Sequence, residues 1–222
     1  MMDDFWLFFT TGIGHIADWK GIDHILFITA MCLRYVWKDW KKILLLVTAF
    51  TIGHSLTLGL SVFNIISIPT VWTEFLIAVT ILVTALSDLR KERPSRRRYP
   101  LIYYFALVFG FIHGMGFSTL LKSMLGRDRQ IVGQLLAFNL GLEVGQLLIV
   151  GCLLTLLTLL ATVGIDRLHS RIFVSGAIAA LALEMCIDRW PLGENEKENN
   201  TQTEIKYRND KHENFSILQN LA

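Results

Sequence analysis

Long apolar blocks, separated by short charged ones, most limit what this chain can fold into. They run near Ile22–Val36, Ile43–Ile66, Val71–Leu89, Leu101–Leu121, Leu135–Val163 and Ile172–Trp190. A helix needs about 20 apolar residues to cross the hydrocarbon core of a bilayer. A strand barrel would alternate apolar and polar residues at every second position, and no stretch does so for long. The expectation is an all-α, polytopic helical membrane protein of about six transmembrane helices. A hydrophobic content of 53% points the same way, since it is high for a soluble domain.

Two of the blocks are irregular. The first is short and carries Asp23, His24 and Arg34; the fifth is overlong and holds Asn139, Glu143 and Gln146 in its first half. Phe5–Ile16 is too short to cross, so residues 5–20 are expected to form an interfacial or re-entrant segment. Residues 1–190 then make one helical transmembrane domain. From Pro191 onward Glu, Asn and Lys dominate, and 191–222 is expected to be a polar, disordered tail. The three cysteines, Cys32, Cys152 and Cys186, lie in apolar segments with no pairing pattern, which suggests neither a disulfide framework nor a thiolate metal site. The acidic start, Met1-Met2-Asp3-Asp4, does not resemble a signal peptide.

The net charge is only +2, and its distribution matters more. Arg34, at the end of the first span, and Lys38, Lys41 and Lys42, in the loop after it, are one basic group. Arg90, Lys91, Arg93, Arg96, Arg97 and Arg98 follow the third, and Arg167 and Arg171 follow the fifth. The intervening loops hold only Lys122, Arg127 and Arg129, all in the fourth. Positive loops face the cytoplasm, so both termini are expected outside, with the fourth loop basic on the wrong side. The arginine run 96–98 is a topology signal here, not a nucleic-acid site.

Four histidines fall inside or at the edge of the apolar blocks: His15, His24, His54 and His113. An ionisable ring at membrane depth points to a function, with a partner or ligand expected, and imidazole is the commonest metal ligand. His15 lies near Asp18, and His24 follows Asp23. A carboxylate beside an imidazole can share a metal with it or orient it; the alternative is that Asp18 and Asp23 are solvated boundary residues. Thr51, His54 and Ser61 share one helical face, with Ser55 next to the ring. Hydroxyls in a span often only cross-link helices, but a titratable ring is not needed for that. His113 sits in Gly110-Phe111-Ile112-His113-Gly114, where glycines permit close approach of a helix or ligand; a packing hydrogen bond is the plainer reading. Asn139, Glu143 and Gln146 form one polar stripe, and a glutamate there must be paired, protonated or bound to a cation.

These runs together resemble the HupE/UreJ family of hydrogenase and urease accessory membrane proteins. The likeness spans Gly12 to about Trp190. It rests on His15 with Asp23-His24-Ile25-Leu26-Phe27, on Thr48-Ala49-Phe50-Thr51 leading to His54-Ser55-Leu56-Thr57-Leu58, on Phe109 to Phe117, and on Phe138 to Gln146. It is closest to the branch whose longer members carry an extracytoplasmic domain before the membrane part, and that domain is expected to be lacking here. The resemblance implies a nickel or cobalt transporter of the bacterial inner membrane that supplies metalloenzyme assembly. It also implies metal ligands at His15, Asp23, His24, His54, His113 and Glu143. Nitrogen and carboxylate donors alone suit nickel, cobalt or zinc.

Phe50-Thr51-Ile52-Gly53 and Phe138-Asn139-Leu140-Gly141 share a pattern. Six spans split into two sets of three have opposite topology, which suggests a 3+3 inverted repeat with a site near the midplane. The leading expectation is a divalent-metal permease with no prosthetic group, driven by a gradient because no nucleotide-binding motif is present. Its partners are the ion and the lipid bilayer; a homo-oligomer is compatible with the sequence. The alternative is an intramembrane zinc-dependent hydrolase using His and Asp ligands, with one coordination position open to water.

Overall fold

The computed structural model describes residues 2–66, 69–89, 99–124 and 131–191. The expected disordered tail beyond Pro191 and the basic cluster Arg90–Arg98 lie outside the described residues, as do Arg127 and Arg129. The described part is helical: α1 (Met2–Ala17), α2 (Ile22–Cys32), α3 (Trp40–Val62), α4 (Thr70–Leu89), α5 (Tyr99–Met124), α6 (Ile131–Thr162) and α7 (Arg167–Asp188). Short 3-10 turns, Trp19–Gly21 and Trp37–Asp39, lead into α2 and α3. The chain is an all-α polytopic membrane protein.

Four helices are long and apolar enough to cross a membrane: α3 with its leading turn, α4, α6 and α7. One correction to the expected spans follows. The first, expected over Ile22–Val36, is an eleven-residue helix ending at Cys32. At 1.5 Å per residue it covers about 16 Å, roughly half the hydrocarbon thickness. The chain leaves the helix where Val36 turns fully extended. Phe5–Ile16 lies within α1, a sixteen-residue helix that is not among those long and apolar enough to cross.

Helix ends follow local chemistry. After α3 the chain turns at Asn64, with φ 58°, and the Ile65 N–H donates back to the Leu60 carbonyl at 2.9 Å. After α6, Gly164 takes φ 89° and the Ile165 N–H reaches the Leu160 carbonyl at 3.0 Å. Both are left-handed closures that satisfy the last carbonyls of a helix.

Two helix pairs are joined in the same way. On α1 and α6, a Cβ added at Gly12 would strike the Phe138 carbonyl, and one at Gly141 would strike that of Phe9. On α3 and α5, Gly53 stands against the Leu107 carbonyl and Gly110 against that of Phe50. In each helix the glycine lies three residues after the residue whose carbonyl the partner helix's glycine meets. Small residues allow this backbone approach, which helix pairing in lipid relies on. Each pair takes one helix from each half of the chain, as a twofold exchange of α1 with α5 and α3 with α6 requires. The remaining pair, α4 with α7, maps onto itself, and α2 has no counterpart.

The glycines also give directions. Further along α6, Gly145 meets Ile13 and Ile16, which lie beyond Phe9 on α1. Further along α5, Gly114 meets His54 and Thr57, beyond Phe50 on α3. So α1 runs with α6, and α3 with α5. Phe75, early in α4, stacks edge-on against Trp190, just past α7, with ring centroids 5.2 Å apart; α4 and α7 are therefore antiparallel. The core is apolar and aromatic, with Phe27, Phe50, Phe138, Leu46, Ile81 and Leu142 fully buried. The outer surface is also apolar, with Trp6, Val132, Leu148 and Phe173 exposed, as expected where the solvent is lipid.

Candidate functional site

The histidines converge. His15 comes from the last turn of α1, His24 from the first turn of α2 and His54 from α3. Ring centroids are 4.7 Å apart for His15 and His24, 6.2 Å for His15 and His54, and 6.4 Å for His24 and His54. One ring nitrogen from each lies within 4.8 Å of the others. Two nitrogens bound to one ion at about 2.1 Å can be no more than about 4.2 Å apart, so the widest pair is well under an ångström too open. His113, from α5, stands 5.2 Å from His24, centroid to centroid.

Local sequence explains the convergence. His15 lies three residues after Gly12, His54 one after Gly53 and His113 three after Gly110. Each ring is therefore within one turn of a backbone-to-backbone contact and sits close to the helix crossing. Phe27 and Phe50 flank His113 with centroids 5.0 and 5.3 Å away, and Phe138 lies 5.7 Å from His15. The aromatic wall excludes water and lowers the local dielectric.

Burial is nearly complete: His54 is 0% exposed, His113 1% and His24 7%. Neither nitrogen of His24 or of His54, nor Nδ1 of His113, has a hydrogen-bond partner. The Gly21 backbone lies beside His24 and the Asn139 side chain beside His54, without completing a bond of good geometry. A buried polar atom left unsatisfied costs about 1–3 kcal/mol. Several on facing rings make a donor set that a cation would satisfy, each neutral imidazole offering one lone pair. His113 Nε2 is 3.4 Å from the Thr80 hydroxyl, which leaves its Nδ1 as the open atom.

The remaining expected residues have other hydrogen-bond or ion-pair partners, or face solvent. Asp23 forms a forked ion pair with Arg189, at 2.9 and 3.3 Å. Glu143 accepts a 2.5 Å hydrogen bond from Thr48, and the Gln146 carbonyl oxygen accepts one of 2.9 Å from Thr51. The polar stripe of α6 thus faces α3. Asn139 donates to the Leu135 carbonyl at 2.8 Å, Ser55 donates to the Thr51 carbonyl at 2.6 Å, and Asp18 is exposed. Among the described residues the three-histidine group contains no carboxylate. Thr80 and Arg189 were not singled out from sequence, and Thr48 only as part of a motif, with no role given to it. A threonine in a span carries no signal of its own, and Arg189 resembles an ordinary boundary charge.

A family model described as HupE/UreJ protein matches residues 1–190. The chain belongs to the HupE/UreJ family. The match begins ahead of Gly12 and takes in α1 whole, so the first histidine helix is part of the family's common core. No curated protein and no solved structure matches the chain. Within the HupE/UreJ match lie His15, His24, His54 and His113, the buried or half-buried histidines among the described residues, while the residues from Pro191 onward fall outside it.

Proposed function

We propose that this HupE/UreJ protein is a permease for a divalent transition metal, nickel foremost, in a bacterial inner membrane. One observation carries the proposal: imidazoles from three helices converge in a buried, aromatic-walled position, with both nitrogens of His24 and of His54 unsatisfied. The ion would exchange its water shell for His15, His24 and His54, with His113 next in line beyond His24. Imidazole suits nickel, cobalt and zinc alike; nickel is preferred because hydrogenase and urease maturation, which the family serves, consumes it.

The helix directions support a transporter. Asp23 at the start of α2 reaches the end of α7, and Arg34 just past α2 reaches the end of α4. Since α4 opposes α7, α2 runs with α4. The short connection Val163–Asp166 turns α6 back into α7, so α1, which runs with α6, also opposes α7. Both short helices therefore point the same way, and we read them as one interrupted crossing broken at 18–21, beside His15 and His24. With α3 to α7 this makes six passes. Discontinuous helices at a repeat interface are where secondary transporters hold their ions. A membrane potential of 100 mV, negative inside, supplies about 2.3 kcal/mol per charge, about twice that for a divalent cation.

Three histidines without a carboxylate also match the ligand set of some catalytic zinc sites, which keeps the hydrolase reading as the rival. Such a site also requires a base for its water, and Asp23 and Glu143 are already engaged by Arg189 and Thr48. The separating experiment is accumulation of radioactive nickel and cobalt in cells carrying wild type or His54→Ala. Uptake that depends on His54 supports the permease; equal uptake removes it, and turnover of a lipid ester or amide by the zinc-loaded protein would favour the rival.

A further inference from the structure

The helix that carries His24 is fastened at both ends, and both fastenings go to the same helix pair. At its start, Asp23 takes the fork of Arg189, just beyond α7. At its end, Arg34 donates through Nε to Asp88 and through a terminal nitrogen to the Ser87 carbonyl, both in the last turn of α4. Asp88 is only 4% exposed. Ion pairs elsewhere, such as Lys42 with Asp39 and His169 with Asp166, join residues three apart in sequence, whereas these two bridge 166 and 54 positions.

The three rings of the site therefore stand on three different supports. His15 belongs to α1, cemented to α6 by Gly12 and Gly141. His54 belongs to α3, cemented to α5 by Gly53 and Gly110. His24 belongs to α2, for which no glycine contact is seen among the described residues. An eleven-residue helix has little stability of its own. Its position must come from its ends and from the surfaces it touches. Removing one partner of a buried pair strands the other charge, so each fastening resists opening. Arginine's fixed fork also sets an angle as well as a distance.

We propose that Arg189 and Arg34 are positioning residues for the metal site. Resting on the metal-site reading above, the proposal is that the two ion pairs make α2 move with α4 and α7, so that the stance of α4 and α7 decides whether His24 faces His15 and His54. The ion is held by three rings when the supports are together and by fewer when α4 and α7 shift.

Cobalt(II) is the probe, because its visible spectrum reports the number and kind of its ligands. It is titrated into the purified full chain as wild type, as His24→Ala, and as the double variant Arg34→Gln with Asp88→Asn, which removes the inner fastening without stranding a charge. The double variant should bind cobalt roughly 10- to 100-fold more weakly, the range for losing a residue that orients a ligand. Its bound-ion spectrum should move to that of His24→Ala. The exchanged pair, Arg34→Asp with Asp88→Arg, should recover both. A folded double variant with wild-type affinity and spectrum overturns the proposal. Should it not fold, Arg189→Lys, which keeps the charge and loses the fork, carries the same two outcomes. A wild-type chain that binds no cobalt overturns the metal-site reading, and this proposal with it.

Discussion

At the scale of single residues, the histidines were legible because an apolar block offers an imidazole few ordinary roles. His24, His54 and His113 are all buried, as that reasoning requires. Their partners were not legible. Asp23 next to His24 reads as a co-ligand, yet its carboxylate is turned to Arg189, 166 positions away; adjacency in sequence says nothing of which way a side chain points. Glu143 reads as a ligand from its polar stripe and the resemblance; in the fold its carboxylate accepts from Thr48, a partner the sequence did not point to. Thr80, a hydroxyl among many in α4, gave no signal before its distance to His113 Nε2 was known. It fixes which nitrogen of that ring remains open. Thr80→Val, close in shape but without the hydroxyl, should weaken nickel binding about tenfold while leaving the melting temperature nearly unchanged. Calorimetric titration of the two proteins checks this, and equal affinities would remove Thr80 from the site.

At the scale of elements, the sequence marked the long helices α3, α4, α6 and α7 well, since length and hydropathy suffice for them. It placed the end of the first span four residues too late, since α2 stops at Cys32 rather than Val36. It also saw only half of the glycine pattern. Phe50 with Gly53 and Phe138 with Gly141 stood out, whereas Phe9 with Gly12 lay in a segment read as non-crossing and Leu107 with Gly110 lacks the aromatic. The contacts show all four to be equivalent. Gly53→Ala should therefore destabilise the fold by about 1–3 kcal/mol, because the new methyl meets backbone that cannot move aside cheaply. Gly133→Ala and Gly176→Ala, where nothing lies within 4 Å, should be neutral or stabilising by up to about 1 kcal/mol. Thermal melts in detergent separate the two classes. Equal effects at Gly53 and Gly133 would mean that α3 and α5 do not meet as described.

At the scale of the whole molecule, fold class followed from composition and block length, while the arrangement of helices did not. Nothing local says that α1 pairs with α6 and α3 with α5, because these contacts join positions more than 50 apart. The exchange of partners between halves is what a repeat produces, and it gives His15, three residues after Gly12, a counterpart in His113, three after Gly110. The charge pattern bears on orientation. On the six-pass reading proposed above, with basic loops after the first, third and fifth crossings, both termini should lie outside the cytoplasm. A membrane-impermeant biotin reagent should label a cysteine placed at position 3 or 215 in intact spheroplasts, in a background lacking the native cysteines. Protection of both would reverse the orientation and, with it, the direction in which the potential drives the ion.

The most direct measurement is the nickel content of the purified protein by mass spectrometry, after loading and removal of free metal, for wild type and for His24→Ala, His54→Ala and Glu143→Gln. Convergence of the imidazoles on a single cation predicts one nickel per wild-type chain, retained by Glu143→Gln and lost from both histidine variants. No bound nickel in the wild type, or full occupancy without His24 and His54, would contradict it.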